Sequence, residues 1–361
     1  MDLRIASFPP PIPQNPYQRL LYEGLALEGV TLVDSSPLRV RWLVASRGRV
    51  DVLHFHWPEI YYRHRGANTR ARVVLSWIRL ALFTTRLAAA RLLGYRIVWT
   101  VHQVSPHESP SPGLDHAGTW MLARMSHLLV ANDRVTAVAA ASRLGLARMP
   151  AVVPHGSYVG VYPPGRPRDE MRRELGIEPG ALVFLSLGHL RRYKGLDLLL
   201  DAFAATAESV PDAVLVVAGL PVDGSGAAEV AAAAAADARI KPLLGFVPDE
   251  GVAELFAAAD AAVLPRADGG TSGALVLALS HGVPVVASDL PVYSELVSAA
   301  GAGWLFEPGD RAALSAALEE VAAEPVEQLS QRADAARARA KALDWKDSCR
   351  AYARLIRELE R

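Results

Sequence analysis

The sequence predicts an α/β protein built from two doubly wound parallel-sheet domains that face a cleft. Three observations predict it. Short apolar runs alternate with amphipathic helical stretches along both halves, the pattern of parallel sheets covered on both faces. A cluster of proline and glycine, Tyr162-Pro163-Pro164-Gly165-Arg166-Pro167, separates the two series. The charge changes sign at the same place. Residues 1–160 hold 18 Arg, no Lys and 9 Asp+Glu, whereas residues 161–361 hold 20 Lys+Arg and 29 Asp+Glu. A half of +9 thus precedes a half of −9 within a chain of zero net charge, and the basic half suits anionic material.

In the first half the strand-like runs are Leu3–Ser7, Asp51–His56, Arg96–Val101, His127–Val130 and Ala151–Val153. Leu20, Leu21, Leu25 and Leu27 share one face of a helix over Tyr17–Glu28. Arg70–Leu93 reads as a long amphipathic helix, with Arg70, Arg72, Arg79, Arg86 and Arg91 set among Trp77, Leu80, Leu82 and Phe83. In the second half the strands are Leu182–Leu187, Ala213–Ala218, Ala261–Leu264 and Val283–Ala287. Helices over Leu196–Ala207, Ala227–Ala238, Gly251–Ala259 and Ala274–Ser280 alternate with them. Ser315–Arg361 reads as helical and charged, with Trp345 as an anchor. The division is therefore residues 1–162, a linker over 163–168, residues 169–343, and a C-terminal helix over 344–361 that is free to cross back to the first domain.

Several function classes fall away. Half the residues are hydrophobic (51%) and 21% are charged, which describes a folded chain rather than a disordered one. Arginines interrupt the longest apolar stretches, so no uncharged membrane span is expected. Met1-Asp2-Leu3-Arg4-Ile5 enters a strand at once, with no signal-peptide pattern, and a cytoplasmic protein is the expectation. One cysteine, Cys349, leaves neither an internal disulfide nor a cysteine metal cluster. A dinucleotide-dependent oxidoreductase needs a glycine cradle after its first strand, and here Phe8-Pro9-Pro10-Pro11 follows instead. The arginines of the basic half are interleaved with core-type residues and form no recognised nucleic-acid motif, so no nucleic-acid partner is expected.

The chemistry concentrates at strand ends. Gly188-His189-Leu190-Arg191-Arg192-Tyr193-Lys194-Gly195 ends one strand and opens a helix. Backbone amides at a helix N-terminus, together with Arg191 and Lys194, make an anion site suited to a diphosphate. Pro265 through Gly273 repeats the arrangement after the strand Ala261–Leu264, with Thr271 or Ser272 as the helix N-cap and Gly273 beyond it. In the first half, His54-Phe55-His56-Trp57-Pro58-Glu59 and His102 through His107-Glu108 both close strands. Histidines beside carboxylates suit proton transfer and hydroxyl recognition, and Trp57 suits stacking on a sugar face. Their spacing lacks the compact pattern of zinc ligands, so no metal is expected.

These blocks resemble bacterial glycosyltransferases of the GT-B architecture, with two facing Rossmann-like domains. Gly188–Gly195 with Leu196–Phe203, Val216–Gly219, Gly245–Pro248, Leu255–Pro265, Gly282–Ser288 and Glu295 carry the resemblance in the second half. Two glutamates that flank the loop in the commonest retaining branch are replaced by Gly269 and Leu277. That loop, with Asn15-Pro16-Tyr17, His54–Glu59, His64-Arg65 and His102–Glu108, is similar instead to the β-mannosyltransferases of xanthan-type exopolysaccharide assembly. The resemblance implies an inverting transfer of a hexose, mannose from GDP-mannose above others, to a hydroxyl acceptor that is a lipid-linked glycan. Arg191 and Lys194 would neutralise the leaving diphosphate in place of a metal, since no DxD-type acidic pair adjoins them. The arginines around the apolar face of Arg70–Leu93, with the +9 charge of the first half, suit anionic lipid headgroups, so an enzyme peripheral on the inner face of the membrane is the expectation. The resemblance implies no cofactor beyond the nucleotide-sugar donor. Gly188, Arg191, Lys194, Phe246, Val247, Thr271, Ser272, Gly273 and Glu295 would hold the donor, and Asn15, Tyr17, His56, Trp57 and His107 the acceptor. Glu59, His102 and Glu108 stand as alternative bases. A soluble enzyme using UDP or another nucleotide sugar on a small natural product, and a non-catalytic sugar-nucleotide binder, are the other readings.

Overall fold

A computed structural model describes residues 2–12, 15–33, 37–64, 69–103, 111–222, 226–267, 269–270 and 272–360. Six strands, β1 (Leu3–Phe8), β2 (Val30–Leu32), β3 (Val52–Phe55), β4 (Arg96–Val101), β5 (Leu128–Ala131) and β6 (Ala151–Val152), make a parallel sheet in the order β2-β1-β3-β4-β5-β6. The period-two alternation of each strand splits its residues between two cores. Leu53, Phe55, Ile97 and Trp99 pack with Leu80, Phe83 and Leu87 on one face. Val52, Val98 and Val130 pack with Leu21, Leu25, Tyr352 and Ile356 on the other.

The helix Arg70–Leu92 supplies the first of those faces. Ser76, Leu80, Phe83 and Leu87 are buried along it, while Val74, Trp77, Ile78 and Leu82 are 46–59% exposed. The apolar surface expected there is therefore shared between the core and the outside, with Leu80 and Phe83 on the core side. Its length and hydropathy would span a bilayer, but its buried stripe belongs to the domain core. The opposite face is closed by two helices, Pro16–Leu27 and Trp345–Arg357. Ser348, Cys349, Tyr352, Ala353 and Ile356 form the inner stripe of the second one, with the spacing of an amphipathic helix. Trp345 anchors its start on Tyr17 and His155, at centroid distances of 5.5 and 5.7 Å.

A second parallel sheet uses β7 (Val183–Leu187), β8 (Val214–Gly219), β9 (Ile240–Leu244), β10 (Ala261–Leu264), β11 (Val285–Ser288) and β12 (Gly303–Phe306), in the order β12-β11-β10-β7-β8-β9. Phe184, Leu215, Val217, Val263 and Val286 share a core with Leu199, Phe203 and Leu314 from the helices Leu196–Ala205 and Arg311–Ala323. The helix Gly273–Ser280 contacts β10 and β11.

The chain divides into Met1–Gly156 with Asp344–Arg361, and Ser157–Leu343. The proline-rich stretch read as a linker over 163–168 packs within the second unit. Arg166 donates to Glu254 through its backbone N–H and through Nε and Nη2, at 2.8–3.1 Å. The segment Ser315–Arg361, read as helical and charged, falls into three helices, Arg311–Ala323, Val326–Lys341 and Trp345–Arg357. Pro325 separates the first two, and Asp344 caps the third by accepting Lys346 N–H at 2.8 Å.

Candidate functional site

In the second sheet the chain runs outward from β7 through β8 and β9, then returns to the other side of β7 for β10, β11 and β12. Connections diverge at such a reversal and leave a crevice at the carboxyl ends of the two central strands. The loops after β7 and β10 meet there. Gly195 has φ +72°, and a Cβ on it would stand 2.0 Å from the Pro265 carbonyl oxygen. Only glycine permits both the left-handed backbone and this approach.

Three cations gather around that contact. Lys194 Nζ lies 3.0 Å from the place a Cβ on Gly188 would take. Burial, and then the charges of Arg266 and Arg191, bring the Lys194 ammonium down to about 8. Arg266 stacks its guanidinium 5.5 Å above the Tyr193 ring. Burial, Lys194 and Arg191 together lower His189 as well. Like charges held together in a half-dry crevice repel one another, and an anion between them relieves that repulsion.

Gly273 opens the neighbouring helix, whose first intrahelical bond is Val276 N–H to the Ser272 carbonyl at 3.1 Å. The preceding amides therefore face outward as anion donors. Ser272 holds the N-cap position and is buried, but its hydroxyl does not cap the helix. Phe246, 65% exposed, and Val247 follow β9, two strands from the reversal. Glu295 is exposed in the π-helical turn Ser294–Ser298 beyond β11. Thr271 lies outside the described residues.

The first sheet reverses between β1 and β3, and the histidines stand at that end. His54 and Thr100 lie on adjacent parallel strands, and His56 and His102 follow each of them by two residues. Period two therefore puts all four side chains on one face, opposite the helices that carry Tyr22 and Tyr352. His102 Nε2 is 3.0 Å from His56 Nδ1, and His56 Nε2 is 2.9 Å from the Tyr22 hydroxyl. Tyr22 reaches His54 Nδ1 at 2.8 Å. His54 Nε2 meets Thr100 Oγ1 and the Tyr352 hydroxyl, each at 2.8 Å. Burial lowers all three imidazoles, His54 and His102 to about 3 and His56 well below its ordinary value. They are neutral at physiological pH.

Trp57 stacks on His102 at 4.6 Å with 13° between planes. Tyr17 packs edge-on against both His56 and His102 and donates to Asn132 Oδ1 at 3.3 Å. Asn15 precedes the helix of Tyr17 without capping it. The structure thus gathers Tyr17, His56, Trp57 and His102. Glu59 opens a short helix, Glu59–Tyr62, and its charged neighbours are Arg63 and Asp115 rather than the histidines. Burial raises its carboxyl. His107 and Glu108 lie outside the described residues. Among the described residues no three His, Cys, Asp or Glu side chains converge as metal ligands.

Sequence reasoning passed over Arg266, Tyr22, His54, Thr100 and Tyr352 as site residues. An arginine directly after β10 and the two-residue spacing Thr100-Val101-His102 were the available signals.

Residues 167–340 match the family described as "Glycosyl transferases group 1". Over 328 residues the chain is 32% identical to a GDP-mannose:glycolipid 4-beta-D-mannosyltransferase of Xanthomonas campestris, an alignment covering 88% of this chain and 84% of that one. A D-inositol 3-phosphate glycosyltransferase of Actinosynnema mirum is 30% identical over 201 residues, 51% of this chain and 47% of that one. Sucrose-phosphate synthase from Thermosynechococcus elongatus superposes with a TM-score of 0.74 at 18% identity, covering 99% of each chain. Anabaena HepE in complex with UDP-glucose gives 0.73 at 18% identity, covering 99% of this chain and 100% of that one. Two six-stranded parallel sheets, each reversing where its polar cluster sits, are the GT-B architecture, and the chain belongs to the group 1 glycosyltransferases of that fold.

Proposed function

We propose that this glycosyltransferase moves mannose from GDP-mannose to a hydroxyl of a lipid-linked glycan, with inversion and without a divalent metal. The observation that carries the reading is the 32% identity to a GDP-mannose:glycolipid 4-beta-D-mannosyltransferase over 84% of that protein's length. The likeness spans both units rather than the nucleotide-sugar half alone. Arg191, Lys194 and Arg266 hold the diphosphate, and the amides that open the helix at Gly273 add neutral donors. Together they stabilise the charge that grows on GDP as the bond from the anomeric carbon to its phosphate oxygen breaks.

The acceptor lies against Trp57, Tyr17 and the histidines, with its sugar face on the Trp57 indole. Its hydroxyl oxygen attacks the anomeric carbon from the side opposite the leaving GDP, and its proton passes to a basic group of the first unit. Replacement of the glutamate pair by Gly269 and Leu277 supports inversion, because it removes the carboxylates associated with the retaining branch. Enzyme, GDP-mannose and an isoprenoid-linked oligosaccharide should yield GDP and a β-mannoside, read from the anomeric coupling of the product. An α-mannoside refutes inversion. Turnover of UDP-glucose with none of GDP-mannose refutes the donor.

A further inference from the structure

The hydrogens of the buried network in the first unit can be counted. His54, His56 and His102 are neutral, so each ring has one N–H and one bare nitrogen. The count begins at the closed end. Thr100 Oγ1 and the Tyr352 hydroxyl are 2.7 Å apart, and each is 2.8 Å from His54 Nε2. Both side chains are buried, at 0% and 1% exposure. If His54 Nε2 carried a hydrogen, only one of the two hydroxyl hydrogens would find an acceptor, in the bond between them. With His54 Nε2 bare, one hydroxyl donates to the other and the second donates to the ring. Every hydrogen is then used, as buried polar groups require.

The rest follows by parity. A bare Nε2 puts the hydrogen of His54 on Nδ1, which donates to the Tyr22 oxygen at 2.8 Å. Tyr22 has one hydrogen, and His56 Nε2 receives it at 2.9 Å. Ser7 also adjoins the Tyr22 hydroxyl, but the hydrogen bonds of that hydroxyl go to the two imidazoles, while Ser7 donates to the Pro9 carbonyl at 2.7 Å and accepts Gln18 Nε2 at 3.1 Å. His56 therefore carries its hydrogen on Nδ1 and donates to His102 Nε2 at 3.0 Å. Nδ1–H is what remains for His102 to offer a ligand.

We propose that Tyr22 and His54 are positioning residues which, through His56, hold His102 as the Nδ1–H tautomer, so that His102 meets the acceptor as a hydrogen-bond donor and not as its base. The proposal rests on the reading of the first unit as the acceptor half, but the tautomer itself is measurable without turnover. A failed tautomer and a failed transferase reading are thus separate results. Long-range proton–nitrogen spectra of the full-length, nitrogen-labelled protein, with His102→Gln to assign the signals, should show His102 protonated at Nδ1.

Tyr22→Phe removes the relay at its centre and should leave His102 as a mixture of tautomers. The double variant Thr100→Val, Tyr352→Phe strips His54 Nε2 of both donors and should do the same. In either variant the acceptor KM should rise at least threefold while the KM for GDP-mannose holds, a split that loss of packing alone does not give. Wild-type His102 protonated at Nε2, or a Tyr22→Phe variant with the wild-type tautomer, overturns the proposal.

Discussion

Gly195 and Pro265 meet backbone to backbone, which ties the loop after β7 to the loop after β10 at the reversal of the second sheet. Gly195→Ala meets two obstacles. An L-residue at φ +72° costs about 1–2 kcal/mol, and its methyl collides with a carbonyl that belongs to the other loop. The loops must part, and Lys194 moves relative to Arg266. Affinity for GDP, measured by calorimetry, should fall at least about tenfold while the far-ultraviolet spectrum stays native. Unchanged affinity would mean that this contact does not shape the anion site.

Lys194 gives the site a proton linkage. Burial, Arg266 and Arg191 lower it to about 8 in the folded protein, against 10.5 for the free side chain. Between those values the unfolded chain binds the proton and the folded chain does not, so this group makes stability rise with pH across the window. Below about 8 both states are charged, and the penalty for burying the ammonium is fully present. A diphosphate restores the charge, so GDP binding near pH 8.5 should take up a fraction of a proton. Calorimetry in two buffers of different ionisation enthalpy reads that uptake, and Lys194→Met should abolish it. Identical heats in both buffers for the wild type would contradict the assignment.

The three cations of the second unit also bear on metal use. If Arg191, Lys194 and Arg266 carry the leaving diphosphate, turnover should persist in EDTA at the rate seen with added magnesium. Loss of activity in EDTA, with recovery on adding Mn²⁺ or Mg²⁺, would refute metal independence. Lys194→Ala should cost at least about tenfold in kcat/KM for the donor, since each hydrogen bond to a charged group is worth about 1.5–3 kcal/mol.

The outer face of the helix Arg70–Leu92 leads to a surface experiment. Val74, Trp77, Ile78 and Leu82 are exposed along it, and no acidic residue occurs between Arg70 and Leu92. Apolar residues rimmed by arginine suit an anionic bilayer surface. The protein should float with vesicles that contain phosphatidylglycerol at low salt and separate from them at high salt. The pair Trp77→Ser, Ile78→Ser should weaken flotation at least about fivefold without changing the melting temperature, because both side chains lie outside the core. Wild-type protein left at the bottom of the gradient would favour a soluble enzyme with a small-molecule acceptor.

Much of this was legible in the sequence because the informative residues lie in short runs. Gly188 through Gly195 and His54 through Glu59 each sit at a strand end, and each arrived at a sheet reversal. The unread strands β2, β9 and β12 are all sheet edges. They are short or half-exposed, and Pro242 sits inside β9, so hydropathy marks them weakly. The polar network was unreadable for a different reason. Tyr22 and Tyr352 look like ordinary core residues of two amphipathic helices, and Tyr352 meets His54 across 298 residues of chain. Nothing local marks such a contact. Arg266 lay in plain view, but its company with Lys194 depends on how two loops fold together.

The return of Trp345–Arg357 to the first sheet also orders events during synthesis. Residues 157–343 can close on themselves as soon as they leave the ribosome, because every strand and helix of that unit is contiguous. The first unit cannot. Although translated earlier, it waits for Tyr352, Ala353 and Ile356, which pack with Leu21, Leu25 and Val130, and His54 gains its Tyr352 partner only when Trp345–Arg357 arrives. The second-made unit is thus the first that can mature, and loss of Asp344–Arg361 would strand the older half.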